Sequence, residues 1–223
     1  MNDGTFAARE VELLVDGGAF ADDSPGVLGN AALMSMGPYH FPNAKAFGKV
    51  AYTNHLRFAA FRGFGNPQVT FAGESQLDEI ADKLGIDPID LRIKNVLDKG
   101  QKWFGGQKVD SNGLQECLEK VRASSDWDNR RKNSGDNGIG VSAAGHISGL
   151  LATGAIVRML EDGTFVLNTG ATDIGQGSDT VLTQICAEAL QIPIENIRTA
   201  APDTDGSPYN WGTTASRVTY TTG

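Results

Sequence analysis

Cysteine is scarce in this sequence: of 223 residues only Cys117 and Cys186 are cysteine. Neither has a CxxC partner, which argues against an iron–sulfur cluster or a disulfide framework carried by this chain. Both stand in apolar helical patterns and read as small buried hydrophobes. Histidine is equally thin. His40, His55 and His146 show no metal-ligand spacing, so no metal is expected by direct side-chain ligation. No apolar run is long enough to span a bilayer. The stretch Met1-Asn2-Asp3-Gly4 has no basic region followed by an apolar segment, so no signal peptide is read and a cytoplasmic, non-membrane setting is expected. Basic charge is also in short supply. Lys and Arg total 19 against 27 Asp and Glu, a net charge of −8. An acidic surface repels phosphate backbones, so nucleic acid is not an expected partner.

Glycine is what the sequence has in quantity, at 28 residues, clustered in short loops rather than in a repeat. Around those loops the apolar spacing predicts mixed elements. Thr5 to Val15 reads as a strand, with a turn at Asp16-Gly17-Gly18. Pro25 to Met36 reads as a short helix and Ala46 to Thr53 as a strand. Helices are predicted over Val69 to Leu84, from Asp87-Pro88 to Val96 or Leu97, and over Leu114 to Val121, the last with Leu114, Cys117, Leu118 and Val121 on one face. The polar run Arg130 to Asp136 reads as a linker. Beyond it, Ala155 to Leu160 and Thr164 to Asn168 flank Glu161-Asp162-Gly163 as a hairpin, a helix covers Ser178 to Leu190, and Ile197 to Ala201 reads as a strand. This mixture predicts an α+β protein of two linked units of mixed sheets with packed helices, residues 1–130 and 131–223.

Three glycine-rich segments carry the chemistry: Ala60 to Gln68 (AFRGFGNPQ), Gly170 to Asp179 (GATDIGQGSD) and Gly212 to Arg217 (GTTASR). The first two lead into helices, whose first N–H groups and partial positive charge suit an anion. Each segment alone also fits an ordinary turn and helix cap. The letters GFG lack the full dinucleotide fingerprint and its acidic residue some twenty positions on.

Taken together, in order and spacing, AFRGFGNPQ with IDLRIKNVL (Ile89 to Leu97), GATDIGQGSDT, and DTDGSPYNWGTTASR (Asp203 to Arg217) resemble the molybdenum-cofactor-binding large subunit of the xanthine dehydrogenase/aldehyde oxidase family. The resemblance covers essentially the whole chain and identifies it as a central fragment of that subunit. Residues 1–130 match the first molybdopterin-binding domain, truncated at its start, and 131–223 the beginning of the second, which is incomplete. The resemblance implies a molybdenum hydroxylase that places oxygen from water on an aromatic N-heterocycle or aldehyde. Its cofactor is molybdopterin, as such or as the cytosine dinucleotide, with molybdenum. Electrons pass to iron–sulfur and FAD subunits or domains, in a hetero-oligomer.

By the same resemblance, backbone N–H groups at Phe61 and Arg62 lie beside the metal's oxygen ligand, where fixed donors act as electrostatic preorganisation, and Gly63 binds the cofactor with them. Gly175, Gln176 and Gly177 hold the pterin and its phosphate, Thr214, Ala215 and Ser216 close over the cofactor, and Phe64 is an aromatic wall of the substrate pocket. Plainer roles stay open for several of these: Phe61 and Phe64 as core, Arg62 as an ion-pair partner, Gln176 as an exposed loop amide, Ser216 as a helix cap.

Departures from the family pattern narrow the reading. No cysteine lies in AFRGFG, which disfavours carbon monoxide oxidation. Asn30 stands where xanthine-specific members carry an arginine, so xanthine is not supported. The family's catalytic glutamate has no counterpart here, so no catalytic residue is assigned. An alternative is a non-catalytic or split cofactor-binding module that needs a partner chain. A glycine-rich phosphate-binding domain unrelated to molybdenum is a third. The expected outcome for the 223-residue chain expressed alone and supplied with cofactor is no dye reduction with aldehydes or N-heterocycles. Steady turnover by it would refute the assignment of the base elsewhere.

Overall fold

The computed structural model describes residues 1–133, 135–149 and 151–223. The chain divides into two compact units, Met1–His146 and Ile147–Gly223.

In the first unit, strand β1 (Ala8–Gly18) pairs in parallel with β2 (Asn43–Tyr52), from Ala8 opposite Asn43 to Val15 opposite Val50. Parallel neighbours need a crossover, and helix α1 (Ser24–Met34) supplies it. Alternation along β1 turns Val11, Leu13 and Val15 to the half-buried side and leaves Glu10, Glu12 and Leu14 exposed. Helix and sheet approach closely at Gly48, where a Cβ would lie 2.6 Å from the Leu28 side chain. The turn expected at Asp16-Gly17-Gly18 is instead the end of the strand, which runs on past an irregularity between Asp16 and Gly18. The Asp16 carboxylate makes this possible: it accepts from the Gly18 N–H (2.8 Å) and the Thr53 hydroxyl (2.7 Å) and fastens the two strand ends together.

Four helices follow: α2 (Asn66–Leu84), α3 (Pro88–Asn95), α4 (Leu114–Ser124) and α5 (Trp127–Lys132). Gly85, in left-handed conformation, ends α2, and the Ile86 N–H returns to the Ala81 carbonyl. Asp87 caps α3 through the Ile89 N–H (2.8 Å), and its other oxygen accepts from the Trp127 indole (2.9 Å). That second bond anchors α5, a helix the charged run around Arg130 conceals in the sequence. On α4 only Leu118 is buried. Cys117 and Val121 are exposed, so the face expected to be apolar is narrower than the spacing suggested, and only Cys186 is a buried cysteine.

The core of this unit gathers Phe6, Tyr39, Leu77, Ala81, Leu91 and Ala143. Inside it lies a charged pair. Glu74 accepts from the Tyr39 hydroxyl (2.8 Å), the Arg92 Nε (2.9 Å) and the Ala143 N–H (2.8 Å). Arg92, 0% exposed, also donates to the Pro88 and Glu74 carbonyls and pairs with Asp78 at 2.9 Å. Burial works most strongly on the Arg92 charge, against it, but the Glu74 carboxylate together with Tyr39 and Asp78 outweighs it and raises the pKa. Burial, then Glu74, holds the Tyr39 hydroxyl neutral. Because Ala143 belongs to this core, with Ile139 and Val141 packed on Trp127, the first unit extends to His146 rather than ending at the polar stretch near residue 130.

In the second unit, β3 (Ala155–Met159) and β4 (Phe165–Thr169) form the expected hairpin, with Asp162 accepting from the Thr164 N–H and hydroxyl. Helix α6 (Ser178–Leu190) then crosses to β5 (Ile197–Thr199), parallel to β4. Leu167, Ala171, Leu182, Cys186, Ala187, Ile197 and Val218 form its core. A small sheet with packed helices in each unit, parallel in the first and mixed in the second, makes the chain α+β. No helix of the described residues is long and apolar enough to cross a membrane.

Glu74→Ala leaves the Arg92 guanidinium buried without its main partner and is expected to lower the unfolding free energy of the first unit by about 3–5 kcal/mol. Urea unfolding followed by tryptophan fluorescence in a Trp211→Phe background, where Trp103 and Trp127 report on this unit alone, measures it. A loss below about 1 kcal/mol would place the pair among exposed ion pairs in worth.

Candidate functional site

The first glycine-rich loop rests on α1. Gly63, Phe64 and Gly65 are consecutive left-handed residues, with φ of 90, 50 and 86°. Asn30 donates its side-chain amide to the Phe64 carbonyl at 2.7 Å, holding the one non-glycine residue of the three. The Phe64 ring lies against Gly26, and Gly65 sits where a Cβ would be 2.7 Å from the Val27 carbonyl. Gly63 is explained by its own surroundings: a Cβ there would strike the Pro67 ring at 2.6 Å. Phe61 is 84% exposed and Arg62 is exposed too, so neither is core. Among the described residues the Phe61 and Arg62 N–H groups donate to no protein acceptor. Asn30, named from the sequence only for the arginine it replaces, is thus a support for the loop backbone.

The second loop is organised by Asp173. Its carboxylate accepts from the N–H groups of Gly175 (2.8 Å), Gly177 (3.3 Å) and Asp179 (3.2 Å). These bonds, that from Gly175 foremost, lower its pKa. The entrance of α6 therefore already holds an anion, contrary to the expectation of a helix end open to an external one. Gln176 is also occupied: its Oε1 accepts from the Ile174 N–H (2.7 Å), and its amide donates to the Ser178 hydroxyl (2.9 Å) and the Thr172 carbonyl (3.4 Å). Gly175 and Gly177 have open space where a side chain would be.

Thr213 joins the third loop to the second. Its hydroxyl donates to the Thr172 carbonyl (2.7 Å) and accepts from the Thr172 N–H (3.2 Å). Thr214, Ala215 and Ser216 follow, all exposed. Thr213 and Asn210, which accepts from the Gly212 N–H at 2.8 Å, lie inside a quoted motif but were not singled out, because nothing in a single sequence ranks one Thr or Asn of a loop above its neighbours. Asp173 was legible: Asp ahead of Gly-x-Gly at a helix start is an Asx-turn pattern.

In the second unit the structure thus brings the second and third loops together, while the first loop belongs to the first unit. Their exposed groups are backbone N–H, amide and hydroxyl, and the described residues contain no cluster of His, Cys, Asp or Glu that could grip a metal. Such a donor set fits a polar, hydrogen-bonded organic group rather than a bare ion.

Comparisons with known proteins agree on one family. Residues 1–96 and residues 120–223 each match a family described as molybdopterin cofactor-binding domain. A putative xanthine dehydrogenase molybdenum-binding subunit of Escherichia coli is 38% identical over 98% of this chain, and an aldehyde oxidoreductase of Megalodesulfovibrio gigas is 32% identical over 99%. The chain spans 31% and 26% of the length of these two relatives. The crystal structure of the aldehyde oxidoreductase from Desulfovibrio desulfuricans superposes with a TM-score of 0.89 at 28% identity, covering 99% of this chain and 26% of that one.

The Asp173 cap has a pH consequence. A carboxylate whose folded pKa is depressed contributes stability that is present above its unfolded value, 3.8, and is lost as pH falls through the lower folded value. Amide exchange at Gly175, Gly177 and Asp179 should therefore accelerate relative to the α6 interior as pH drops below that value, after correction for intrinsic rates. Asp173→Asn should show the faster exchange already at neutral pH. Equal protection in that variant would remove Asp173 from the role.

Proposed function

Since the chain belongs to the molybdopterin cofactor-binding domains of the xanthine dehydrogenase/aldehyde oxidase family, we propose that its three loops hold molybdopterin with molybdenum in a hydroxylase acting on an aromatic N-heterocycle or an aldehyde. The observation that carries this is the set of donors left free: the Phe61 and Arg62 N–H groups, which donate to no protein acceptor among the described residues, and the exposed Thr214 and Ser216 of the third loop, with no side-chain metal cluster among the described residues. When bound, the group supplies the redox chemistry of water-dependent hydroxylation.

The residues of this chain bind and orient. The N–H groups of Phe61 and Arg62 would serve as preset donors to the molybdenum centre, needing no reorganisation, and Gly63 would bind the cofactor beside them. Phe64, fixed by Asn30, offers an aromatic surface to a flat substrate. Gly175 and Gly177, with open space where a side chain would be, would let the pterin and its phosphate approach the backbone, Gln176 would offer its amide on exchanging its bonds to Ile174 and Ser178, and Thr214, Ala215 and Ser216 would close from the third loop. The cofactor form extends to the cytosine dinucleotide. Iron–sulfur and FAD subunits or domains are proposed as electron partners in a hetero-oligomer, in the cytoplasm.

A second reading, a cofactor-holding module without its own base, is favoured by Asp173. Three backbone donors make that carboxylate a weak base, so it stabilises a loop rather than moving a proton.

Metal analysis of the protein co-produced with its genomic neighbours tests the proposal: molybdenum with turnover is expected, molybdenum without turnover supports the module, and no molybdenum defeats both. Gln176→Ala should reduce molybdenum retained after dialysis, with roughly 1.5–3 kcal/mol at stake for one hydrogen bond to a charged group. Full retention would leave Gln176 as a loop brace, a role its contacts to Ile174 and Ser178 already describe.

A further inference from the structure

Arg217 is a charged side chain enclosed at 1% exposure, and no carboxylate pairs with it among the described residues. Among the described residues its guanidinium meets only neutral acceptors. One terminal nitrogen donates to the Asn210 side-chain oxygen and the Gly212 carbonyl, each at 3.0 Å. The other donates to the Ala152 carbonyl at 2.9 Å and to that of Leu151. Nε has no partner. A buried cation without a counter-ion is costly, and a planar fork fixes the spacing of what it joins. Here it joins two separate stretches, residues 151–152 and 210–212.

Immediately before it stand Ala215 and Ser216, with φ of 53 and 52°. Two successive non-glycine residues in the left-handed region are strained. Both are exposed, so burial of their side chains does not offset the strain. The neighbouring left-handed positions of the second and third loops are glycines, Gly175, Gly177 and Gly212, and the other non-glycine residues in this region, Phe64, Asp126 and Gln191, stand singly. Ala215 and Ser216 must therefore be held from outside. The Gly149 N–H takes the Ala215 carbonyl at 2.8 Å on one side, and the Arg217 fork grips the chain on the other. Asn210 extends the grip, donating to the Thr153 hydroxyl at 2.7 Å and to Thr222 at 3.3 Å.

We propose that Arg217 is a positioning residue: its buried, unpaired guanidinium holds Ala215 and Ser216 in left-handed conformation so that this loop presents its backbone to the cofactor. The inference rests on the cofactor reading above. Arg217 acts through the loop and touches no ligand itself.

The test uses the holoenzyme and three variants. Arg217→Lys keeps the charge but loses the fork, and should lower molybdenum and released pterin per subunit about ten-fold after dialysis, the scale set by one strained residue. Ala215→Val strains the loop without touching the clamp, should give a similar loss, and decides the matter if Arg217→Lys does not fold. Adding Ala215→Gly and Ser216→Gly to Arg217→Lys should restore retention to within about two-fold, because glycine adopts this backbone unaided. Full retention in Arg217→Lys, or in Ala215→Val where the lysine variant does not fold, overturns the proposal. So does a folded triple variant that still loses the cofactor.

Amide exchange provides a readout independent of cofactor. In Arg217→Lys, acceleration confined to Gly149 and residues 212–217 supports the clamp, while uniform acceleration across β4 and α6 marks a general strut and overturns it. If the wild-type protein holds no molybdenum, the cofactor reading fails, and the exchange pattern still decides whether Arg217 sets the loop.

Discussion

The Glu74 carboxylate is the interaction on which the first unit depends. It sits on α2, yet its acceptor sites are filled from three other places: Tyr39 after α1, Arg92 on α3 and Ala143 far along the chain. Hydrophobic contact could bring those segments together in many registers. A buried carboxylate with three specific donors admits one, because any slip leaves a charge unpaired. The first glycine-rich loop benefits directly. It leads into α2, and Asn66 at the head of that helix donates to the Gly145 carbonyl at 2.8 Å, just beyond the Ala143 contact.

The same logic recurs in the loops, with weaker bonds. Each tight turn is held by a side chain that works on the backbone: Asn30 on Phe64, Asp173 on the entrance of α6, Gln176 on Ile174 and Arg217 on Gly212. Glycine permits these conformations, but permission is not order. The polar side chains choose one conformation from the many that glycine allows, and the exposed N–H and hydroxyl groups then point consistently without a ligand to arrange them.

Much of this was legible in the sequence where a local signal existed. The spacing of Leu77, Ile80, Ala81 and Leu84 gave α2, Asp87-Pro88 gave the start of α3, and Glu161-Asp162-Gly163 gave the hairpin. Helix α5 was hidden, since six residues rich in charge have no apolar stripe and depend on tertiary contacts, above all Trp127, which packs on Ile89 and Leu118 and bonds to Asp87. The unit boundary was hidden for a related reason: residues after the polar run return to pack on the first core, a tertiary fact with no local trace. The three loops could be found by their glycines and ordered by resemblance. What braces them could not, because Asn30 and Arg217 act across gaps of 34 and 66 residues.

The internal anion at α6 also bears on how this site discriminates. A helix start whose N–H groups were empty would attract any phosphate or sulfate through its dipole and would weaken steeply with salt. With Asp173 seated there, the dipole is quenched within its first turn and the chain as a whole is acidic, at −8. Simple anions gain little from this surface. In the cofactor reading proposed above, what remains to select a ligand at this entrance is the fit of individual donors and acceptors, a short-range criterion that ionic strength barely alters.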